Sequence, residues 1–353
     1  MNNYKLHASF SFLLIALMGF FLTPATNGKH RDDVVVMKNG DKLTGEIKSL
    51  RNGELRFKAS YMAESVRLDW ARVEQLESKD EYQIFLTSGQ IFSDSLKLVP
   101  SSETGSENFV IGENNKVVRV RQIEVVRIAP FEKKFFTQLE GSIDFGFSYT
   151  SGNDQYDTQL VATTTYRTRN NSFTARIDSL FSGQTEGSSS VRNQFSFDYR
   201  RQITPKWYAG GLFDFLRSDQ QSLDHRLTVG GLVGRSLKQT ETTKYSVFGG
   251  LAVTREKYSA VTGQPQKTNV DALAGLDLTR FSFNTTEISS RFMLFPSLTT
   301  PGRMRMQATS DMRIKIAKDL YWGFHIYENF DSKPPVRADR NDLGLSTSIG
   351  WKF

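Results

Sequence analysis

The chain has 353 residues, a length that suits two or three domains, and 38% of them are hydrophobic, with a mean hydropathy of −0.41. Its formal charge of +7 is spread along the sequence, so a solvated basic surface accounts for it and nucleic acid is not an expected partner. Cysteine is absent, which excludes disulfides, thiol catalysis, cysteine-ligated metals and a lipidated N-terminal cysteine.

Lys5 and His7 precede an apolar run from Phe10 to Leu22, followed by Thr23, Pro24 and Ala25. This order is that of a secretory signal, and the run is too short for a comfortable membrane helix. Residues 1–28 are read as a signal peptide, with cleavage after Ala25 or Gly28.

Two short β units are expected next, over 33–78 and 82–130. Residues 34–50 (VVVMKNGDKLTGEIKSL) and 83–98 (QIFLTSGQIFSDSLKL) each place an apolar strand, a turn and a second strand in the same order. The turns fall at Asn39-Gly40 and Ser88-Gly89, and Asn-Gly between apolar runs predicts a hairpin with both turn residues at positive φ. The copies close alike, on VRLDWARVEQL (66–76) and VVRVRQIEVVRI (117–128), about 50 residues apart. Such units suggest small SH3-like or Sm-like barrels in tandem. Each alone has little core, which favours packing of one on the other. Trp70 is expected in that core. Residues 131–137 (FEKKFFT) read as a connector.

From 138 to 353 the pattern changes to strand-length pieces that alternate apolar and polar residues. In 138–150, Leu139, Ile143, Phe145, Phe147 and Tyr149 share one face and Glu140, Ser142, Asp144 and Ser148 the other. Phe195, Phe197 and Tyr199 likewise oppose Ser196, Asp198 and Arg200, and Leu320, Trp322, Phe324 and Ile326 oppose Tyr321, His325 and Tyr327. Twelve strands are predicted, near 138–150, 155–168, 171–182, 190–202, 205–217, 224–237, 243–254, 268–279, 285–295, 303–315, 319–329 and 342–353. An even count of amphipathic strands long enough to cross a bilayer predicts an all-β chain ending in an antiparallel transmembrane barrel. Links after even-numbered strands are tight and those after odd-numbered strands are mostly longer. That is the asymmetry between periplasmic turns and outside loops, and it places residues 29–137 in the periplasm.

The last strand, GLSTSIGWKF (344–353), stops on an aromatic residue. Trp351 and Phe353 are expected to form the sorting signal read by the barrel-assembly machinery. With the opening GSIDFGFSYTSGN (141–153) and the ending GWKF, the barrel region resembles the YdiY-like family of salt-induced outer-membrane proteins, whose function is not known. The lead-in KNGDKLTGEIKSLRNGELRFKASYMAESVRLDW (38–70) resembles the β module found before such barrels. The resemblance implies fold and location and supplies no catalytic residue.

The polar face should line the lumen. Its expected acids are Asp144, Asp178, Asp198, Asp214, Asp271, Asp277, Glu287 and Asp311. They should meet Arg176, Arg200, Arg291 and Arg313, because charges inside a barrel must pair or stay hydrated. His325 faces the same space, and His225 starts a strand near an outside loop. Neither histidine lies in a His-x-Ser pair, and no metal-ligand spacing or phosphate-binding glycine loop is present. No cofactor is expected. The sequence therefore predicts a non-enzymatic outer-membrane barrel of structural or stress-related role. Its lumen is either sealed by ion pairs or a narrow pore for ions or small solutes. Outer-membrane lipid and the assembly machinery are the expected partners, and a periplasmic protein or peptidoglycan would meet the N-terminal module. The alternatives are a lipid-modifying or proteolytic outer-membrane enzyme and a secreted β-sandwich binding protein.

Overall fold

A computed structural model of the chain describes residues 32–99, 108–113, 116–130, 139–150, 155–168, 170–184, 189–259, 266–282, 285–335 and 338–353. The signal region 1–28 and the connector 131–137 lie outside the described residues.

The N-terminal module begins with β1 (Asp33–Met37), β2 (Lys42–Arg51), β3 (Glu54–Lys58), β4 (Val66–Asp69) and β5 (Val73–Leu86). It continues with β6 (Ile91–Val99), β7 (Asn108–Glu113), β8 (Lys116–Arg121) and β9 (Val125–Pro130). All nine strands belong to one sheet. The repeat seen in the sequence is the repeat of the fold, and β5 belongs to both copies. It ends the first by pairing with β1 and opens the second by pairing with β6 and β9. Each copy makes one 3-10 turn before its final strand, at Trp70–Arg72 and at Gln122–Glu124. The first residues of these two turns bond to each other. Trp70 Nε1 donates to the Gln122 carbonyl at 3.3 Å, and Gln122 Nε2 donates to the Trp70 carbonyl at 2.7 Å. One apolar core results, in which Ile47, Leu55, Trp70, Leu76, Ile84 and Ile128 from both copies are buried together.

The hairpin turns correct one expectation. Gly40 has φ +90° and Gly89 +86°, but Asn39 and Ser88 are not left-handed. Gly40 N donates to Met37 O at 2.8 Å, so the glycine closes a three-residue loop instead of the mirror-image two-residue turn. The mirror-image turn occurs at Asn52-Gly53, where φ is 55° and 74°, joining β2 to β3 with Arg51 opposite Glu54.

Twelve strands follow, at the positions the alternation predicts. They are β10 (Leu139–Thr150), β11 (Gln155–Arg167), β12 (Asn171–Gln184), β13 (Ser190–Gln202), β14 (Trp207–Ser218) and β15 (Leu223–Gln239). The second half comprises β16 (Thr243–Tyr258), β17 (Lys267–Ser282), β18 (Thr286–Pro296), β19 (Met304–Ala317), β20 (Leu320–Asp331) and β21 (Asn341–Lys352). Each pairs antiparallel with the next, and β21 returns to β10 to close the barrel, with Lys352 opposite Ser142. Phe353 completes the seam by exchanging backbone hydrogen bonds with Gly141 at 3.0 and 3.1 Å. A Cβ on Gly141 would run into the Phe353 ring, so the last residue fits a notch at the seam.

Closure overturns the β-sandwich alternative, because a sandwich buries its apolar faces and this barrel turns them outward. Phe145 is 56% exposed, Phe147 63%, Leu251 59% and Leu345 73%. An exposed apolar band running around a closed sheet requires an apolar solvent. Three of the four tryptophans, Trp207, Trp322 and Trp351, are outward-facing at the end of the tight links 203–206 and 318–319. Phe173 stacks between Tyr166 and Tyr199 at the same end, with ring centroids 6.2 and 5.0 Å away. Such aromatic belts mark the boundary between hydrocarbon and water.

Candidate functional site, the charged barrel lumen

Alternation sends every second side chain of these strands into the lumen, and there the predicted acids and arginines meet across the barrel. In the middle, Arg176 on β12 forks onto Asp311 on β19, at 2.9 and 3.1 Å. His325 on β20 lies between two carboxylates, with Nδ1 2.9 Å from Asp311 and Nε2 2.8 Å from Asp178. A second bridge starts at Arg291 on β18, which donates to Asp198 on β13 at 2.6 Å and to Asp277 on β17 at 2.7 Å. Arg200 adds a bond to Asp277 at 2.6 Å. Nearer the tight-turn end, Glu287 binds Lys352 and lies 3.6 Å from Arg313. Arg176–Asp311, His325–Asp178, Arg291–Asp198, Arg200–Asp277 and Lys352–Glu287 join strands that are not neighbours and so span the lumen, whereas His325–Asp311, Arg291–Asp277 and Arg313–Glu287 are cross-strand pairs that line it.

Two of the expected acids meet no arginine. Asp214 accepts from Gln194 at 2.7 Å and from Gln307 at 3.2 Å, and Asp144 accepts from Ser348 at 3.5 Å. Asp271 finds an arginine outside the expected set, Arg305, at 2.6 Å. Asp178 likewise lies 3.5 Å from Arg192, whose guanidinium stands 3.8 Å over the Tyr327 ring.

A deeply buried cluster was absent from the expected set. At the loop end Glu256 accepts from Arg226 at 2.7 Å and from both terminal nitrogens of Arg303, at 2.7 and 3.0 Å. Arg303 also forks onto Asp331, at 2.5 and 3.1 Å, linking β16, β20 and the loop before β19. Glu256 is 0% exposed and Arg303 3%. Arg226 and Glu256 stand opposite each other on adjacent strands, a cross-strand pair that strand register alone would reveal. Register shifts beside Ser218 and His225 hide the inward parity of β15. Arg303 lies in a link, where alternation gives no direction.

One sector of the lumen is apolar. Tyr208, Leu212, Leu232, Phe248, Leu273 and Phe295 pack together on the inner wall of β14 to β18. Tyr208 and Phe248 lie over the cross-strand glycines Gly234 and Gly275, where a Cβ would strike the ring. Among the ionic bridges lies a cavity of about 170 Å³, lined by Arg176, Asp178, Arg192, Asp198, Asp214 and Arg291 among others. It has room for roughly a dozen waters. Among the described residues no group of three histidines or carboxylates is arranged to hold a metal ion. His225, at the loop end of β15, pairs across the strand with Lys257, far in sequence from the network around His325.

A closed antiparallel barrel with an apolar exterior, aromatic belts and an ion-paired interior is a membrane-spanning β-barrel. The chain belongs to the family described as "Protein of unknown function, DUF481", whose model matches residues 143–353. No curated protein matches the chain. Among solved structures it is similar to the translocator domain of the autotransporter NalP from Neisseria meningitidis. That match has 15% identity, covers 61% of this chain and 87% of the other, and has a TM-score of 0.34. It is also similar to the NanC porin, with 11% identity, 61% and 98% coverage and a TM-score of 0.38. A third likeness is to the beta domain of the Bordetella autotransporter BrkA, with 10% identity, 61% and 98% coverage and a TM-score of 0.31.

Proposed function

We propose that this protein is an outer-membrane barrel of structural or stress-related role, sealed at rest, that holds its N-terminal β module at the periplasmic mouth. Closed β-barrels with one apolar outer face belong to outer membranes, and chains of this kind start and end on the periplasmic side. The observation that carries the sealed reading is the set of ionic bridges crossing the lumen beside a cavity of about 170 Å³. Twelve strands enclose a lumen between the filled eight-stranded size and the open porin size, so side chains decide whether it conducts. Here long arginines and an apolar wall fill it. No catalytic step is proposed, and the module would meet a periplasmic protein or peptidoglycan.

Planar-bilayer recording of the refolded protein tests this. The expected result is no sustained conductance from the unaltered chain, with openings when Arg176 and Arg291 are both replaced by serine. Sustained conductance by the unaltered chain would establish the narrow pore instead. That second reading draws on the charged lining of the cavity, which would set the ion preference. Lipase and protease assays with His225→Ala and His325→Ala check the absence of catalysis.

A further inference from the structure

The module meets the barrel at its tight-turn end, and a second cavity of about 90 Å³ lies between them. The hairpin of β2 and β3, with β4, contributes Arg51, Arg56 and Arg67 to its lining. The barrel contributes Arg313, Lys315, Lys318 and Lys352, so seven cations line it against three carboxylates, Glu54, Glu287 and Asp319. Lys318, at the exposed rim, is paired in addition with Glu64 of the module at 2.8 Å, which still leaves the cations in the majority. The carboxylates are each already engaged. Asp319 lies 3.2 Å from Arg56 and 3.3 Å from Arg67, Glu54 lies 3.9 Å from Arg67, and Glu287 is shared by Arg313 and Lys352. Just beyond the cavity, Glu140 is surrounded by Arg51, Arg127 and Arg167 at 2.6, 3.4 and 2.5 Å, which leaves that neighbour too with more cations than anions. Burial, with Arg51 and Arg67 close by, pulls the Arg56 guanidinium below its ordinary range.

A surplus of positive charge gathered into a partly enclosed hollow is costly unless an anion sits there. Had these contacts served only to clamp the module to the barrel, equal numbers of each sign would do so at lower cost. The hollow has room for about six water-sized groups, enough for an oxyanion with its first waters and too little for a sugar chain. Three arginines from one side, and one arginine with three lysines from the other, suit a tetrahedral anion that takes several charged donors at once.

We propose that this cavity is a binding site for a phosphoryl oxyanion, either free phosphate or pyrophosphate or the phosphate of a phospholipid headgroup, held between the N-terminal module and the barrel mouth. Bound there, the anion would join module and barrel, since both supply its ligands. The proposal does not depend on whether the lumen conducts.

Isothermal calorimetry on the full chain in non-ionic detergent tests it, with inorganic pyrophosphate in one titration and short-chain dihexanoyl phosphatidylglycerol in another. Saturable binding of pyrophosphate assigns the site to a free phosphate, and binding of the lipid alone assigns it to a headgroup. Binding of neither in the millimolar range overturns the proposal. Arg56→Gln and Lys315→Gln should each weaken binding about tenfold, while Arg56→Lys keeps most of it and Arg217→Gln, at the opposite end, changes nothing. Asp319→Asn supplies the decisive sign. It removes a competing carboxylate, so it should tighten anion binding although it breaks two contacts between module and barrel. If Asp319→Asn weakens binding as Arg56→Gln does, the cluster is a clamp and not a ligand site. Heat-modifiable gel mobility shows that each variant is folded.

Discussion

The module and the barrel are both antiparallel β structures with period-two sequences, yet they are turned inside out relative to each other. In the module Val35, Leu55, Phe57 and Trp70 point inward and are fully buried or nearly so. Among its described residues the one buried carboxylate, Asp33, is satisfied by neutral donors: Ile47 N at 2.8 Å, Tyr82 Oη at 2.9 Å and the Ser78 hydroxyl. In the barrel the apolar side chains point outward and the interior carboxylates are held mostly by cations. The same alternation therefore serves two solvents. What differs is the remainder of each strand: the module's outward face is charged and short, whereas the barrel's inward face carries complementary charges on strands far apart in sequence. A polar face that pairs with itself across a closed cylinder leaves the other face free for lipid.

The largest expected effects test the two interiors side by side. Trp70→Ala should cost the module about 3–5 kcal/mol through cavity formation, leaving the barrel's heat-modifiable mobility intact. Glu256→Ala should cost the barrel a similar 3–5 kcal/mol or so, because it strands Arg226 and Arg303 without their shared carboxylate, and should leave the module's unfolding unchanged. Urea unfolding followed by near-ultraviolet dichroism for the module and gel mobility for the barrel separates the two. Equal damage to both regions by either variant would mean that they share one cooperative unit.

A middle-sized effect addresses the outer faces. Leu345→Arg, at a position 73% exposed on β21, should destabilise the barrel in vesicles by about 2–4 kcal/mol if that face meets hydrocarbon. Tyr61→Arg, at a position 75% exposed on the module, should change stability by under about 0.5 kcal/mol, as for a side chain in water. The smallest effect is confined to the module. Hydrogen bonds from the Arg121 backbone and side chain hold Glu124 below its ordinary value of 4.5. A carboxyl lowered by folding adds stability above its unfolded value, and that contribution is lost as pH falls through the folded one. The module should therefore weaken slightly below about pH 4.5, by under about 0.5 kcal/mol for so exposed a group, and Glu124→Gln should abolish this part of the acid limb.

Much of the fold was legible because the bilayer enforces a simple code. Alternation alone located all twelve barrel strands and the inward direction of residues such as Asp198, Arg291 and His325. The N-terminal repeat was legible as a repeat, but not as two copies sharing β5, since nothing local marks a strand that serves both. The turns at Asn39-Gly40 and Asn52-Gly53 carry the same dipeptide, and only the second is left-handed at both residues, so the dipeptide marks a hairpin without deciding its loop length. In the lumen, alternation sets the direction of a side chain but not its partner. Arg226 was hidden by register shifts, and Arg303 lies outside any strand. Leu212, Leu232 and Phe248 are apolar residues on the polar face, legible only once closure shows that they meet one another.

The account rests most directly on lipid contact by the outer face, and tryptophan fluorescence quenching by brominated phospholipid measures it. In vesicles, a variant that keeps only Trp351 should be strongly quenched, most by bromines placed near the headgroup, while a variant that keeps only Trp70 should be unaffected. An unquenched Trp351, or equal quenching of both, would contradict a barrel whose exterior is solvated by lipid.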